Sequence, residues 1–137
     1  MIRIVVPGNP VAKGRPRAAR VGNGVRMFTP AKTVAYEGLI ALAGQEAMGR
    51  KKLLTGPLAV TVKAVFQQPK GWSKKRQLEA LIMPEWHTAR PDGDNILKAV
   101  GDGLNGVVWS DDSQLAVTLI TKAYGPTPSL TVLVSPL

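Results

Sequence analysis

The 137-residue chain has no cysteine, a single histidine and no acidic residue before Glu37. The missing thiols exclude a disulfide framework, a thiolate nucleophile and thiolate metal sites together. With His87 the only imidazole, any metal site must rest on oxygen ligands, which suits a hard ion such as Mg²⁺ or Mn²⁺ rather than zinc. Aromatic residues make up only 5% of the chain, so Trp72, Trp86 and Trp109 read as core rather than as a base-stacking platform. No apolar run is long enough to span a bilayer, and Met1 to Pro7 lacks the apolar stretch of a signal peptide. A cytoplasmic protein with no membrane partner and no small-molecule cofactor is therefore expected.

What the chain does contain is positive charge. Eighteen Lys and Arg against nine Asp and Glu give a formal charge of +9, and the pI is about 10.3. Such a field favours polyanions and counterion release, so nucleic acid is the leading partner class, although a basic ribosomal or membrane-surface protein shows the same balance. Hydrophobic content of 45% is ordinary for a soluble globular protein, and the length suits one unit over residues 1–137.

Ile2 to Val6 is β-branched and stopped by Pro7, which predicts a first strand. Residues 8–30, rich in Gly, Pro and Arg, read as a loop or loose hairpin. Thr29-Pro30 resembles an N-cap and first turn, and Val34, Leu39, Leu42, Ala43 and Ala47 recur at helical spacing, so a helix with that face inward is expected over about 30–48. Leu58 to Phe66 alternates as a half-buried strand does. Ser73 can cap a short helix to Leu81, closed by Pro84. Asn95 to Asn105, with Asp94 as candidate cap, carries Leu97, Val100 and Leu104 on one helical face. Gln114 to Tyr124 and Ser129 to Val134 read as strands joined through Gly125 to Pro128. The expected order is β-α-β-α-α-β-β, an α+β fold with a small mixed or antiparallel sheet flanked by helices.

All five aspartates, Asp92, Asp94, Asp102, Asp111 and Asp112, fall in one short stretch. Packing does not require this, and clustered carboxylates repel one another unless a cation joins them. If Arg90 to Asp94 is extended, Asp92 and Asp94 face the same side, and the chain returning through Val107-Val108-Trp109 can add a carboxylate from Asp111-Asp112. Lys98, one helical turn beyond Asp94, can reach a phosphate or a developing negative charge. Carboxylate-held metal on a cationic surface is the arrangement of metal-assisted phosphodiester hydrolysis. Four of the five also have an ordinary reading: Asp94 a cap, Asp102 a partner of Lys98, Asp111-Asp112 a turn. An EF-hand is excluded, because a loop counted from Asp92 places Leu97 where Gly is needed and Gly103 where Glu is needed. A phosphatase-type Asp-x-Asp needs a buried apolar strand before it, and Met83 to Arg90 is a poor candidate.

Among the basic residues, Lys13-Gly14-Arg15-Pro16-Arg17 has the cation density to follow a phosphate backbone, and Arg90 stands beside the carboxylates; these are the candidate DNA-binding residues. Lys74-Lys75-Arg76 forms a second cluster. His87 can position a phosphate or move a proton, or can be a plain surface residue.

The segments Arg90-Pro-Asp-Gly-Asp-Asn-Ile-Leu-Lys98 and Asp102-Gly-Leu-Asn-Gly-Val-Val-Trp-Ser-Asp-Asp-Ser-Gln114 resemble the RusA family of Holliday junction resolvases. Pro10-Val-Ala-Lys-Gly-Arg-Pro-Arg17 is similar to the basic N-terminal motif of the phage and Gram-positive branch. The resemblance implies a homodimeric endonuclease, often prophage-encoded and serving DNA recombination and repair, that resolves four-way junctions by paired nicks with Mg²⁺ or Mn²⁺. It further implies Asp92, Asp94 and Asp112 as catalytic metal ligands, Lys98 as a catalytic residue, and supporting roles for Asp102 and Asp111. The competing readings are a non-enzymatic phage nucleic-acid-binding module and a nuclease acting on flaps or single strands.

Overall fold

Alternation of apolar residues with small or polar ones from Leu58 to Gln67 places Leu58, Val60, Val62, Ala64 and Phe66 on one face of a strand, and all five are buried. This strand, β4, is central in a four-stranded mixed sheet of the computed structural model, which describes residues 1–137. Its neighbours are β6 (Ser129–Pro136), antiparallel, and β5 (Leu115–Gly125), parallel; β1 (Ile2–Pro7) pairs antiparallel with the far side of β6. The sheet order is β1-β6-β4-β5.

Helices α1 (Ala31–Met48) and α3 (Gly93–Leu104) cover the buried face, and a cluster of 20 buried residues joins them to β1, β4 and β6. The two helices approach closely because each offers a glycine. A Cβ on Gly44 would lie 2.6 Å from Leu104 Cδ2, and one on Gly103 would lie 2.9 Å from Ile40 Cγ2, so either would force its neighbour to shift. A third helix, α2 (Lys74–Ile82), is capped by Ser73, whose side chain accepts from Arg76 N at 3.2 Å, and buries only Ala80.

The mixed α+β architecture and the order of the helices and main strands are as expected, with additions and corrections. Residues 8–30 contain a two-stranded antiparallel ribbon, β2 (Arg17–Val21) and β3 (Gly24–Phe28), separate from the main sheet. The expected face of α1 is only partly the buried one: Ala43 and Ala47 pack against the core, but Val34, Leu39 and Leu42 are exposed, whereas Thr33, Tyr36, Ile40, Gly44 and Met48 are buried. Nor does Thr29 cap this helix; Pro30 holds the cap position without a side-chain bond. Helix α3 starts two residues earlier than expected, with Asp92 rather than Asp94 at its cap position. Of the tryptophans, Trp109 is fully buried and Trp86 is largely exposed, so Trp86 is not core.

Candidate active site

The early start of α3 decides the local geometry of the aspartate stretch. Asp92 is extended at the N-cap position and Asp94 lies in the first helical turn, so the extended-chain reason for grouping them does not apply. They line neighbouring concavities. Asp94, Lys98 and Asp112 share one cleft with Asn95, Gly101 and Thr118; Asp92 lines the next with Ala12, Arg15, Arg90 and Pro91, and Asn95 borders both. Each carboxylate is at the positive end of α3 or faces its flank.

Asp112 is brought to this cleft by an anchored return loop. Trp109 is buried, and its indole Nε1 donates to Asn105 Oδ1 at 2.7 Å. Gln114 uses its whole amide: Nε2 donates to Leu54 O and Gly56 O, both at 3.0 Å, and Oε1 accepts from Ser110 N at 2.9 Å and Asp111 N at 3.2 Å. Asp111 caps the short 3₁₀ turn Asp112–Gln114, and the Ser113 hydrogen bond holds its carboxyl below the usual carboxylate range. Gly101 leaves the space Asp112 occupies: a Cβ there would stand 3.0 Å from Asp112 Oδ2.

The other wall is fixed by two lysines. Lys122 Nζ donates to Ala89 O and Pro91 O, both at 2.8 Å, and so fastens β5 to the loop that carries Arg90 and Asp92. Lys13 Nζ lies 2.8 Å from Glu37 Oε1 on α1 and 3.1 Å from Asp102 Oδ2 on α3. The Glu37 hydrogen bond, aided by Asp102, raises the Lys13 pKa against the opposing effect of burial. The adjoining backbone is tied as well, Lys13 N to Asn95 O at 3.1 Å and Gly14 N to Thr33 Oγ1 at 2.9 Å. Lys13 is thus occupied within the fold, whereas Arg15 and Arg17 are exposed and line a groove with Lys32 that meets the Asp92 cleft at Arg15. Asp102 pairs with Lys13, not Lys98.

His87 belongs to neither cleft. Its ring stacks on Phe66 at 3.7 Å and tilts against Tyr124 at 5.0 Å, and burial, then Lys122, lowers its pKa; it is not a surface residue. Arg76 is engaged by Glu85 at 2.9 and 3.0 Å and lies over the Trp72 ring. The supporting roles of Gln114 and Lys122 escaped the sequence reading, as did the space left by Gly101.

Asp111 and Asp102 therefore have partners in the protein, while Asp92, Asp94 and Asp112 accept no side-chain hydrogen bond and join no ion pair. No three His, Asp or Glu side chains stand together as a ready-made ligand set. As donors, however, the residues fit a hard cation: two carboxylates converge on one cleft that a Cβ at position 101 would constrict, with a third on the adjoining rim.

Residues 7–135 match the family model described as endodeoxyribonuclease RusA. The chain belongs to the RusA endodeoxyribonuclease family. A protein of Bacillus subtilis (strain 168), described as uncharacterized protein YqaN, is 33% identical over 138 residues, covering 97% of this chain and 94% of that one. The matched region of the RusA model takes in the whole of α3, both clefts and the arm that carries Arg15 and Arg17.

Proposed function

We propose that this RusA-family chain is a divalent-metal-dependent endodeoxyribonuclease that resolves four-way DNA junctions as a homodimer in the cytoplasm. The observation that carries the reading is the sharing of one cleft by Asp94, Lys98 and Asp112, flanked by Asp92 and the guanidinium-lined groove. Asp94 and Asp112, with Asp92 beside them, would hold Mg²⁺ or Mn²⁺. When bound, such an ion polarises a phosphodiester and lowers the pKa of a coordinated water.

The protein's own residues do the rest. Arg15 and Arg17 draw the phosphate backbone toward the carboxylates, and Arg90 neutralises a phosphate at the rim. Lys98 stands on the cleft wall where negative charge develops on the phosphate oxygens, so its ammonium stabilises the transition state more than the ground state. Lys122 and Gln114 hold the two carboxylate-bearing loops at fixed spacing, which matters because misplacement by about 1 Å can cost a hundredfold in rate.

Two copies suit a two-fold-symmetric junction cut by paired nicks. The edge of β5 is bridged by Trp86 only at Ala123, and the rest of that edge with the exposed Leu81, Ile82, Met83 and Trp86 supplies surface of the kind a second copy covers.

The test is incubation of the purified protein with labelled four-way junction, matched linear duplex and single strand, in Mg²⁺, Mn²⁺ or chelator, read on a denaturing gel. Paired, metal-dependent nicks confined to the junction are expected. Cutting of flaps or single strands instead would change the substrate class, and binding without cleavage in either metal would refute the nuclease reading.

A further inference from the structure

Beyond Arg17 at its base, the ribbon β2–β3 has no part in the proposed site. Every residue from Arg17 to Phe28 except Ala19 is exposed. A two-stranded ribbon of this kind is at best marginally stable alone in water, so a surface that covers it has much to contribute. Pairing of Arg17 with Phe28 and of Ala19 with Arg26 puts these four on one face together with Val21; Ala18, Arg20, Val25 and Met27 share the other. Both faces therefore mix guanidinium with apolar side chains.

Two properties of the ribbon select its occupant. Arg17, Arg20 and Arg26 lie in a stretch without a single carboxylate before Glu37, which fits a polyanion and disfavours an identical ribbon from a second copy, where like charges would meet. The remaining strand positions, Ala18, Ala19, Val21, Gly24, Val25, Met27 and Phe28, offer no side-chain donor and no acceptor stronger than the Met27 sulfur. They are unsuited to reading base edges in an intact groove and suited to contact with the flat faces of unstacked bases, as apolar wedges in DNA-bending proteins make. The ribbon is also continuous with the DNA groove, since Arg17 lines it and Arg15 joins it to the Asp92 cleft.

We infer that the β2–β3 ribbon enters the branch point of the DNA, with Arg17, Arg20 and Arg26 on the backbone and Val21, Val25, Met27 and Phe28 against unstacked bases. This rests on the proposal that the substrate is branched DNA. Each strand spans about 16 Å, long enough to pass the width of one duplex arm's groove.

The experiment uses the full chain, with a four-way junction carrying 2-aminopurine at the branch point and a linear duplex of the same sequence, both in chelator. The variants are Met27→Ser/Phe28→Ser and Arg20→Ala/Arg26→Ala; all four residues are exposed and outside the core, so the fold is retained. Wild-type protein is expected to raise 2-aminopurine fluorescence and to prefer the junction. The apolar pair should lose the fluorescence rise and at least about tenfold of that preference while keeping its duplex affinity, since stacking is worth about 1–3 kcal/mol per base. The arginine pair should weaken binding to both DNAs and reduce the salt slope by about 2. An apolar variant with unchanged fluorescence and preference overturns the inference while leaving the junction reading intact. A wild-type protein with no junction preference overturns both. An apolar variant that changes the sedimentation of free protein would show that the ribbon is a protein contact, which also overturns it.

Discussion

Lys13 offers the sharpest test of the structural reading, because its sequence context suggests a phosphate-binding cation and its surroundings indicate a clamp. Its ammonium lies 2.8 Å from Glu37 and 3.1 Å from Asp102, and the side chains of Lys13, Glu37 and Asp102 are 19%, 20% and 33% exposed. Lys13→Met keeps the aliphatic stem and leaves two carboxylates on adjacent helices without their shared cation. Hydrogen bonds to charged groups contribute about 1.5–3 kcal/mol each, and partial solvent screening reduces the pair to roughly 2–3 kcal/mol in total. At about 3–4 °C per kcal/mol for a chain of this size, the melting temperature should fall by roughly 6–12 °C. The folded-state pKa of Lys13 is raised above 10.5, so its contribution is complete below that pH and fades as pH climbs through the higher folded value. The stability gap between wild type and variant should therefore be constant from neutral pH to about pH 10 and close in more alkaline solution. Thermal melts across that range measure it, and a double-mutant cycle with Asp102→Asn isolates the pair. If Lys13→Met melts like wild type and instead lowers the salt slope of junction binding by about 1, the clamp is wrong and Lys13 is a phosphate contact.

Asp94→Asn should retain junction binding and lose cleavage by on the order of 10³-fold or more, measured on a denaturing gel; cutting at the wild-type rate would remove Asp94 from the metal site. Gly101→Ala should separate stability from activity. An alanine in a helix interior gains up to about 1 kcal/mol over glycine, but here its Cβ meets Asp112 Oδ2, so cleavage should fall about 10- to 100-fold with the melting temperature held or raised; unimpaired cleavage would show that Asp112 need not stand there. Lys122→Met frees the carbonyls of Ala89 and Pro91, and single-turnover cleavage should fall about tenfold with junction affinity little changed; an equal loss in affinity would mean that Lys122 contacts DNA directly.

Several features were legible because their causes are local. The alternation of Leu58 to Phe66, the β-branched runs at both ends of the chain and the Ser73 cap each act within a few residues, and each appears where expected. The buried face of α1 was only partly legible, for a physical reason. An alanine-rich helix with Val34, Leu39, Leu42 and Ile40 presents more than one apolar stripe, and the choice is made by Gly44, which admits Leu104 and is invisible to hydrophobic periodicity. The ribbon at Arg17–Phe28 gives no core-facing alternation because neither face is buried. His87 was hidden for the converse reason: its polar neighbours suggest a surface loop, and only the fold brings Phe66 beneath it. At the candidate site, the aspartates stand out because they are adjacent in sequence. Gln114 and Lys122 act on carbonyls 31 to 60 positions away and leave no local signal.

The aspartates divide into two with partners and three without. A chain with twice as many cations as carboxylates would be expected to neutralise every carboxylate within reach, yet Asp92, Asp94 and Asp112 remain unpaired with Arg15, Arg90 and Lys98 lining the same two clefts. Two nearby lysines are engaged elsewhere: Lys13 is bound by Glu37 and Asp102, and Lys122 by two backbone carbonyls. Asp102 then has a reason to stand in the aspartate stretch without being a ligand. By occupying Lys13 it helps keep that ammonium from the carboxylates on the other faces of α3, and on the proposed function it leaves their charge free for a metal ion.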